Sequence, residues 1–329
     1  MISLATVGTS WITGEFVRAA EGTGLRWAAV CSRDPVRGAA FAQEHGAPGL
    51  PVLSLDELVR DESIEACYVA TPNRFHFAQC AALLEAGKHV LCEKPATVTP
   101  EELEALQTLA ERRGVVFLEA IMYLHTPARR AVLEALPSLG TVTSAHLDFS
   151  QLSSRWPRLL AGETPNIFNP ALRTGAWMDL GIYCLYPALD FFGEPDDVLA
   201  AAHFLPTGAD GWGTALLRYP DKLVTLTFSK AGQSQGVSQI LGDQGTLTIA
   251  SISQFQGIRR FGHDCSGDAG CFLAETLSKT EVMRCEAKAF CGYITRQPDP
   301  LVSYGSASRL ALRVSRRMAE VRALAGLPF

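Results

Sequence analysis

No stretch of this 329-residue chain approaches the roughly 18 consecutive apolar residues that a membrane span requires, so no membrane partner is expected. Basic residues are neither in excess nor clustered. Twenty-nine Lys and Arg stand against 34 Asp and Glu, giving a formal charge of -5 and a pI near 5.8. A nucleic-acid surface needs a concentrated basic face, so the charge argues against nucleic acid as well. The densest basic group, Arg309, Arg313, Arg316 and Arg317, falls on a helix expected near the C-terminus and reads as its solvated side. The nine cysteines are an odd number without zinc-ligand spacing, and Cys31, Cys67, Cys80 and Cys92 lie in expected core elements. Buried free thiols in a reducing compartment account for them better than a disulfide framework. Cys265 and Cys271 flank a glycine-rich loop beside His263 and Asp264, again without a ligand pattern, so no metal is expected. There is no internal repeat and no low-complexity linker. Met1 leads directly into the first expected strand, which leaves no room for a signal peptide and predicts a cytoplasmic protein.

What is present is 47% hydrophobic residues over a length that suits two domains. The first part alternates strand and helix. Strands are expected near 2–7, 26–31, 65–70, 88–92 and 115–119, with helices near 12–22, 35–45, 74–86 and 100–113. Asp34-Pro35 is an N-cap with proline at the first helical position, and Thr99-Pro100-Glu101-Glu102 is a capping box. Gly87 and Gly114 stop two helices. Repeated units of this kind wind into a parallel sheet with right-handed crossovers. After about residue 121 the pattern changes. Thr126-Pro127 opens a helix, then alternating segments follow near 141–151, 197–205, 213–219, 222–229, 236–241 and 245–250, joined by tight turns such as Tyr219–Lys222 and Gly242–Gly245. The glycine- and serine-rich residues 252–278 read as a loop, and helices near 280–295 and 306–324 finish the chain. The predicted class is α/β: a doubly wound parallel Rossmann domain over 1–121, then an α+β domain over 122–329 with a mainly antiparallel open sheet.

Candidate ligand residues gather at the carboxyl ends of the early strands, where open α/β sheets bind ligands. The first strand runs into Gly8-Thr9-Ser10-Trp11-Ile12-Thr13-Gly14. A dinucleotide fingerprint would read G-x-G-x-x-G; here Ser10 and Thr13 replace the second and third glycines. Backbone amides do the binding there, so Gly8, Ser10, Trp11 and Ile12 remain candidates for the pyrophosphate. The second strand ends in Ser32-Arg33-Asp34, with Arg37 one turn further on. A hydroxyl and guanidinium groups suit a 2'-phosphate, which favours NADP, with NAD as the other cofactor. The third strand ends in Thr71-Pro72-Asn73, with His76 one turn on; His76 reads equally as a cofactor contact or a packing residue. The fourth ends in Glu93-Lys94-Pro95, where Pro95 pushes Lys94 into extended backbone and aims its ammonium. A surface Glu-Lys pair closing a strand would look the same in isolation.

The chemical end is Gly175-Ala176-Trp177-Met178-Asp179-Leu180-Gly181-Ile182-Tyr183, the start of a helix ending at Gly193. Asp179 and Tyr183 are four apart and share a face, and Gly181 between them leaves room for a substrate or a backbone to approach. A buried tyrosine bonded to its neighbouring acid is the structural alternative.

Taken together, Glu93-Lys94-Pro95, Ala70-Thr71-Pro72-Asn73 with His76, and Asp179-x-Gly181-x-Tyr183 resemble the Gfo/Idh/MocA oxidoreductases over nearly the whole chain. The run Glu119–Pro127 is similar to the subgroup of dihydrodiol dehydrogenase and glucose-fructose oxidoreductase, in which a tyrosine replaces the histidine of many relatives, as Tyr183 does here. The resemblance implies NAD(P)-dependent oxidation of a secondary or anomeric alcohol, or the reverse. It implies that Lys94 lies between nicotinamide and substrate hydroxyl, that Tyr183 is the acid/base with its proton affinity lowered by that ammonium, and that Asp179 orients the substrate or Lys94. It also implies a homodimer built on the second-domain sheet. Tyr123, Arg155, Trp156 and Arg173 are the substrate-binding candidates; Arg173-Thr174-Gly175 stands where relatives often carry a glycine run. A cofactor-binding sensor without turnover and an NAD-assisted glycoside hydrolase are the alternative functions on this scaffold.

Overall fold

The computed structural model describes residues 1–262, 270–297 and 301–329. The chain forms two compact units, Met1–His125 with Ser278–Arg309, and Thr126–Leu277 with Leu310–Phe329. Ser278–Arg309 thus packs with the first unit although it lies inside the range 122–329 expected for the second domain.

In the first unit, β1 (Ile2–Val7), α1 (Trp11–Ala20), β2 (Leu25–Cys31), α2 (Pro35–Glu44), β3 (Val52–Leu53), α3 (Leu55–Arg60), β4 (Ala66–Val69), α4 (His76–Glu85), β5 (His89–Glu93), α5 (Pro100–Arg113) and β6 (Phe117–Ala120) follow in order. The strands form one parallel sheet in the order β3-β2-β1-β4-β5-β6. Every residue of β1 and β4 is buried, as a sheet covered on both faces demands. The helix starts are set locally. Asp34 accepts from the amides of Val36 and Arg37, and Thr99 and Glu102 form the expected capping box. Caps of this kind contribute about 1 kcal/mol each. β3 and α3 are elements beyond those expected from the sequence, although Ser54 and Glu57 form a capping box of the same kind.

The second unit begins with α6 (Pro127–Ala135), β7 (Val142–Ser150), α7 (Trp156–Leu160) and α8 (Ile182–Phe192). A run of strands follows: β8 (Asp197–Phe204), β9 (Asp210–Arg218), β10 (Leu223–Ser229), β11 (Ser238–Gly242), β12 (Gly245–Ser251), β13 (Gln256–Gly262) and β14 (Cys271–Phe272). They pair as β14-β13-β12-β11-β7-β10-β9-β8, antiparallel except where β7 and β10 run parallel. Alternation fixes the register: Val224, Leu226 and Phe228 of β10 point into the core beneath α8 while their neighbours remain partly exposed. β13 and β14 occupy part of the segment expected to be a loop; residues 263–269, with His263, Asp264 and Cys265, lie outside the described residues. Trp177, fully buried on a π-helical turn over Trp177–Gly181, packs against Phe228 and donates its indole N–H to the Met318 carbonyl at 3.1 Å. Truncating a side chain so placed costs about 3–5 kcal/mol.

Two helices close the chain, α9 (Lys279–Ile294) and α10 (Tyr304–Leu324). α9 lies on α1, with Thr280 donating to Glu15 and Arg284 to the Ala19 carbonyl. Tyr304 exchanges hydrogen bonds with the Phe117 backbone at 3.2 Å, satisfying the outer edge of β6. Among the described residues no helix is long and apolar enough to cross a membrane.

Candidate functional site

The carboxyl ends of β2, β1, β4 and β5 are neighbours in the first sheet, so the four candidate turns stand side by side along one edge. Gly8 leaves β1 at φ 108, and a Cβ there would lie 2.8 Å from the Ala70 carbonyl oxygen on the neighbouring turn. Only glycine fits that approach. Ser10 occupies the N-cap of α1 without capping it; its hydroxyl turns to Thr13 instead, at 3.0 Å. The first amides of α1 are therefore uncapped by a side chain, unlike those of α2, α3 and α5, and they fit a phosphate. Trp11 is exposed, with the Lys279 ammonium 4.1 Å from its ring centroid. At the tip of β2, Ser32 donates to the Asp34 carbonyl, and the Asp34 carboxylate is committed to its cap. An acid bound up in that way is not presented to a ribose, which leaves Arg33 and Arg37 as the exposed cationic groups of this turn.

The β4 and β5 turns are locked together. His76 is buried, with Nδ1 2.9 Å from the Pro95 carbonyl oxygen and Nε2 2.7 Å from that of Thr71. Burial lowers its proton affinity, so the neutral ring donates to one of the two carbonyls and both nitrogens are taken up by scaffold. Of its two sequence readings, the packing one describes these contacts. The Glu93 carboxyl accepts from the Tyr68 hydroxyl and from the Lys94 amide, and burial raises its pKa against the opposing pull of the Lys94 ammonium. The Lys94–Pro95 peptide is cis, and the Ala96 amide that follows donates to Glu119 at 2.7 Å. Thr71, Pro72 and Asn73 lie half-buried on the neighbouring turn.

In the second unit, Asp179 and Tyr183 belong to the π turn and the first turn of α8, above β7 and β10. Tyr183 meets Phe149 of β7 edge-on, 5.4 Å between ring centroids. Asp179 pairs with Lys230, which follows β10 and is almost fully buried. Asp210, at the start of β9, accepts the Trp177 amide at 2.6 Å, and the charge of Lys230 reaches it too. Burial nevertheless raises the Asp210 pKa. The room expected at Gly181 is taken by the chain itself: a Cβ there would lie 2.0 Å from the Trp177 ring.

The remaining candidates are dispersed. Tyr123 is fully buried in the 3₁₀ turn Met122–His125, packed against α9. Arg155 is exposed at the start of α7, and Trp156 lies edge-on to Phe168. Arg173 adopts left-handed backbone at φ 57, uncommon for a residue with a side chain. Lys230, Asp210 and Tyr68 were not singled out from the sequence, and Glu119 entered only as the first residue of the run Glu119–Pro127. Lys230 carried a signal, a lysine at a strand end as Lys94 is; the others are polar residues of otherwise apolar strands, Asp210 at the start of β9, whose partners lie far along the chain.

Residues 2–120 match the oxidoreductase family with an NAD-binding Rossmann fold, and residues 135–248 match the GFO/IDH/MocA C-terminal domain. The uncharacterized oxidoreductase YgjR of Escherichia coli is 38% identical over 259 residues, 78% of this chain and 79% of that one. The scyllo-inositol 2-dehydrogenase (NADP(+)) IolU of Bacillus subtilis is 37% identical over 253 residues, 77% of each. Among solved structures, the 3-ketoreductase KijD10 of Actinomadura kijaniata with NADP and TDP-benzene superposes with a TM-score of 0.84 over 98% of both chains. At 23% identity that likeness speaks to the fold.

Proposed function

The chain belongs to the Gfo/Idh/MocA oxidoreductases, and from that premise we propose how its residues divide the work of oxidising or forming a CH–OH group. It is an NAD(P)-dependent dehydrogenase or reductase whose substrate is a secondary or anomeric alcohol of a sugar, polyol or cyclic diol. When bound, the nicotinamide cofactor accepts or donates the hydride.

Residues 1–121 hold the cofactor in this reading, and residues 122–329 the substrate. Gly8, Ser10, Trp11 and Ile12 hold the pyrophosphate at the uncapped amides of α1, while Ser32, Arg33 and Arg37 hold a 2'-phosphate, making NADP the preferred form. Thr71, Pro72 and Asn73 face the cofactor, with His76 fixing their turn to that of Pro95. Lys94, steadied by Glu93, donates a hydrogen bond to the reacting oxygen, and Tyr183 takes or returns its proton. Asp179, held by Lys230, orients the substrate. Tyr123, Arg155, Trp156 and Arg173 contact its remaining groups. The protein acts as a cytoplasmic homodimer, in which a second copy covers Leu199, Trp212 and Leu223, exposed apolar side chains of the eight-stranded sheet.

The observation that carries the reading is the position of Lys94, at the carboxyl tip of β5 beside the β4 turn and one strand further from Gly8. The test is a turnover screen of aldoses, inositols and dihydrodiols with NADP and NAD, followed by absorbance of the reduced cofactor. Cofactor binding without turnover of any substrate would leave a sensor. Release of an aglycone without net reduction would leave a hydrolase.

A further inference from the structure

Phe75 ends the 3₁₀ turn Asn73–Phe75 that follows β4, and two guanidinium groups flank its ring. The Arg74 group lies 5.3 Å from the ring centroid and the Arg33 group 5.6 Å. Arg33 comes from the tip of β2, whereas Phe75 follows β4, and β1 with its Gly8 turn lies between those strands. Neighbouring strands are about 4.8 Å apart, so this contact reaches across roughly 10 Å of sheet edge, over the exit of β1. Both arginines are exposed. The carboxylate next to Arg33 in sequence, Asp34, faces the amides of α2. Two positive charges are thus gathered on one aromatic ring at the edge where α1 leaves its first amides uncapped. Each is attracted to the ring face, and they repel one another. An anion that accepts from both guanidinium forks turns this repulsion into a paired, bidentate contact.

We infer that Arg74 and Phe75 complete the subsite for the 2'-phosphate of the cofactor. Phe75 is the platform, Arg33 and Arg74 are the two arms, and Arg37 follows Arg33 on the first turn of α2. The inference rests on the NADP reading above and extends it to a turn belonging to a different strand. It assigns specificity to a residue whose sequence position, between Asn73 and His76, does not announce it.

The test is titration calorimetry of the full-length protein with two probes, 2',5'-ADP and 5'-AMP, at low and high salt. The wild type should prefer 2',5'-ADP. Arg74→Ala should weaken 2',5'-ADP about tenfold, the effect of losing roughly 1.4 kcal/mol, and leave 5'-AMP within about twofold. Its salt dependence should also shrink, because one screened charge contact is gone. Arg74→Lys, which keeps charge without the planar fork, should fall between. Phe75→Leu, which releases both arms, should weaken 2',5'-ADP as well. Wild-type binding of 2',5'-ADP by Arg74→Ala would overturn the inference while the NADP reading stood. A wild type that fails to distinguish the two probes would remove that reading and the inference with it.

Discussion

The carboxyl edge of the first sheet and the helix start of the second unit treat charge in opposite ways. At the first, Arg33, Arg37 and Arg74 stand in solvent, and the nearby acid is committed to capping a helix. At the second, Lys230 is 5% exposed and Asp210 2%, with Asp179 paired to the lysine and the Trp177 amide fixed by the second acid. Exposed charges contribute little to folding, commonly under about 1 kcal/mol per pair, and so can be reserved for a ligand. Buried ones must answer one another, because removing a partner leaves an uncompensated charge in a poor solvent. One region is built to meet something from outside; the other is complete in itself and positions what projects from it.

Three substitutions put that contrast under strain. Lys94→Ala should reduce turnover roughly a thousandfold, within the range for a lost acid/base or polarising group, while cofactor affinity measured by fluorescence titration changes little. Near-normal turnover would make the first edge a binding edge alone. Lys230→Met should destabilise the protein by about 3 kcal/mol, since the buried Asp210 then loses the nearby cation and the half-buried Asp179 its ion-pair partner. Thermal unfolding reads this, and an unchanged midpoint would mean the Lys230 cluster is as dispensable as a surface pair.

The third concerns a buried acid of the first unit. Glu286 of α9 is 1% exposed, and its Oε1 has no hydrogen-bond partner among the described residues. Burial, and then the charge of Glu93, raises its pKa well above the ordinary 4.5. Below that ordinary value both folded and unfolded chains hold the proton, and its contribution to stability is fully present. As pH rises toward the folded pKa the unfolded chain releases the proton first, and stability drains by up to about 1.4 kcal/mol per pH unit. Glu286→Gln removes the titration. Its denaturation midpoint should exceed that of the wild type by a margin that widens from mildly acidic to mildly alkaline pH. A constant margin would place the carboxyl in contact with solvent.

The same contrast explains what the sequence made legible. Each candidate of the first edge lies directly after a strand, so Gly8, Arg33, Thr71 and Lys94 are marked by position before any contact is known. Helix caps are equally local, and Asp34 and Thr99 do what their spacing predicted. The second unit hides its logic because its partners are distant: Lys230 lies 51 residues from Asp179, and Asp210 lies 33 from the amide it accepts. Gly181 was misjudged for a related reason. Its side of the helix is filled by Trp177, and the π turn that brings the ring there has no spacing signature in the residues themselves. β3 and β14 are two residues long, too short to show a period.

The smallest expected effects test whether caps and ligand sites are really different uses of one device. Ser54 accepts from the Glu57 amide and caps α3, so Ser54→Ala should cost about 1 kcal/mol in chemical denaturation. Ser10 holds the same N-cap position on α1 but directs its hydroxyl to Thr13. Ser10→Ala should therefore lose almost nothing in the same experiment, because no amide forfeits a partner. If it costs as much as Ser54→Ala, the α1 amides depend on that hydroxyl after all, and the first edge spends its helix start on folding rather than holding it for a phosphate.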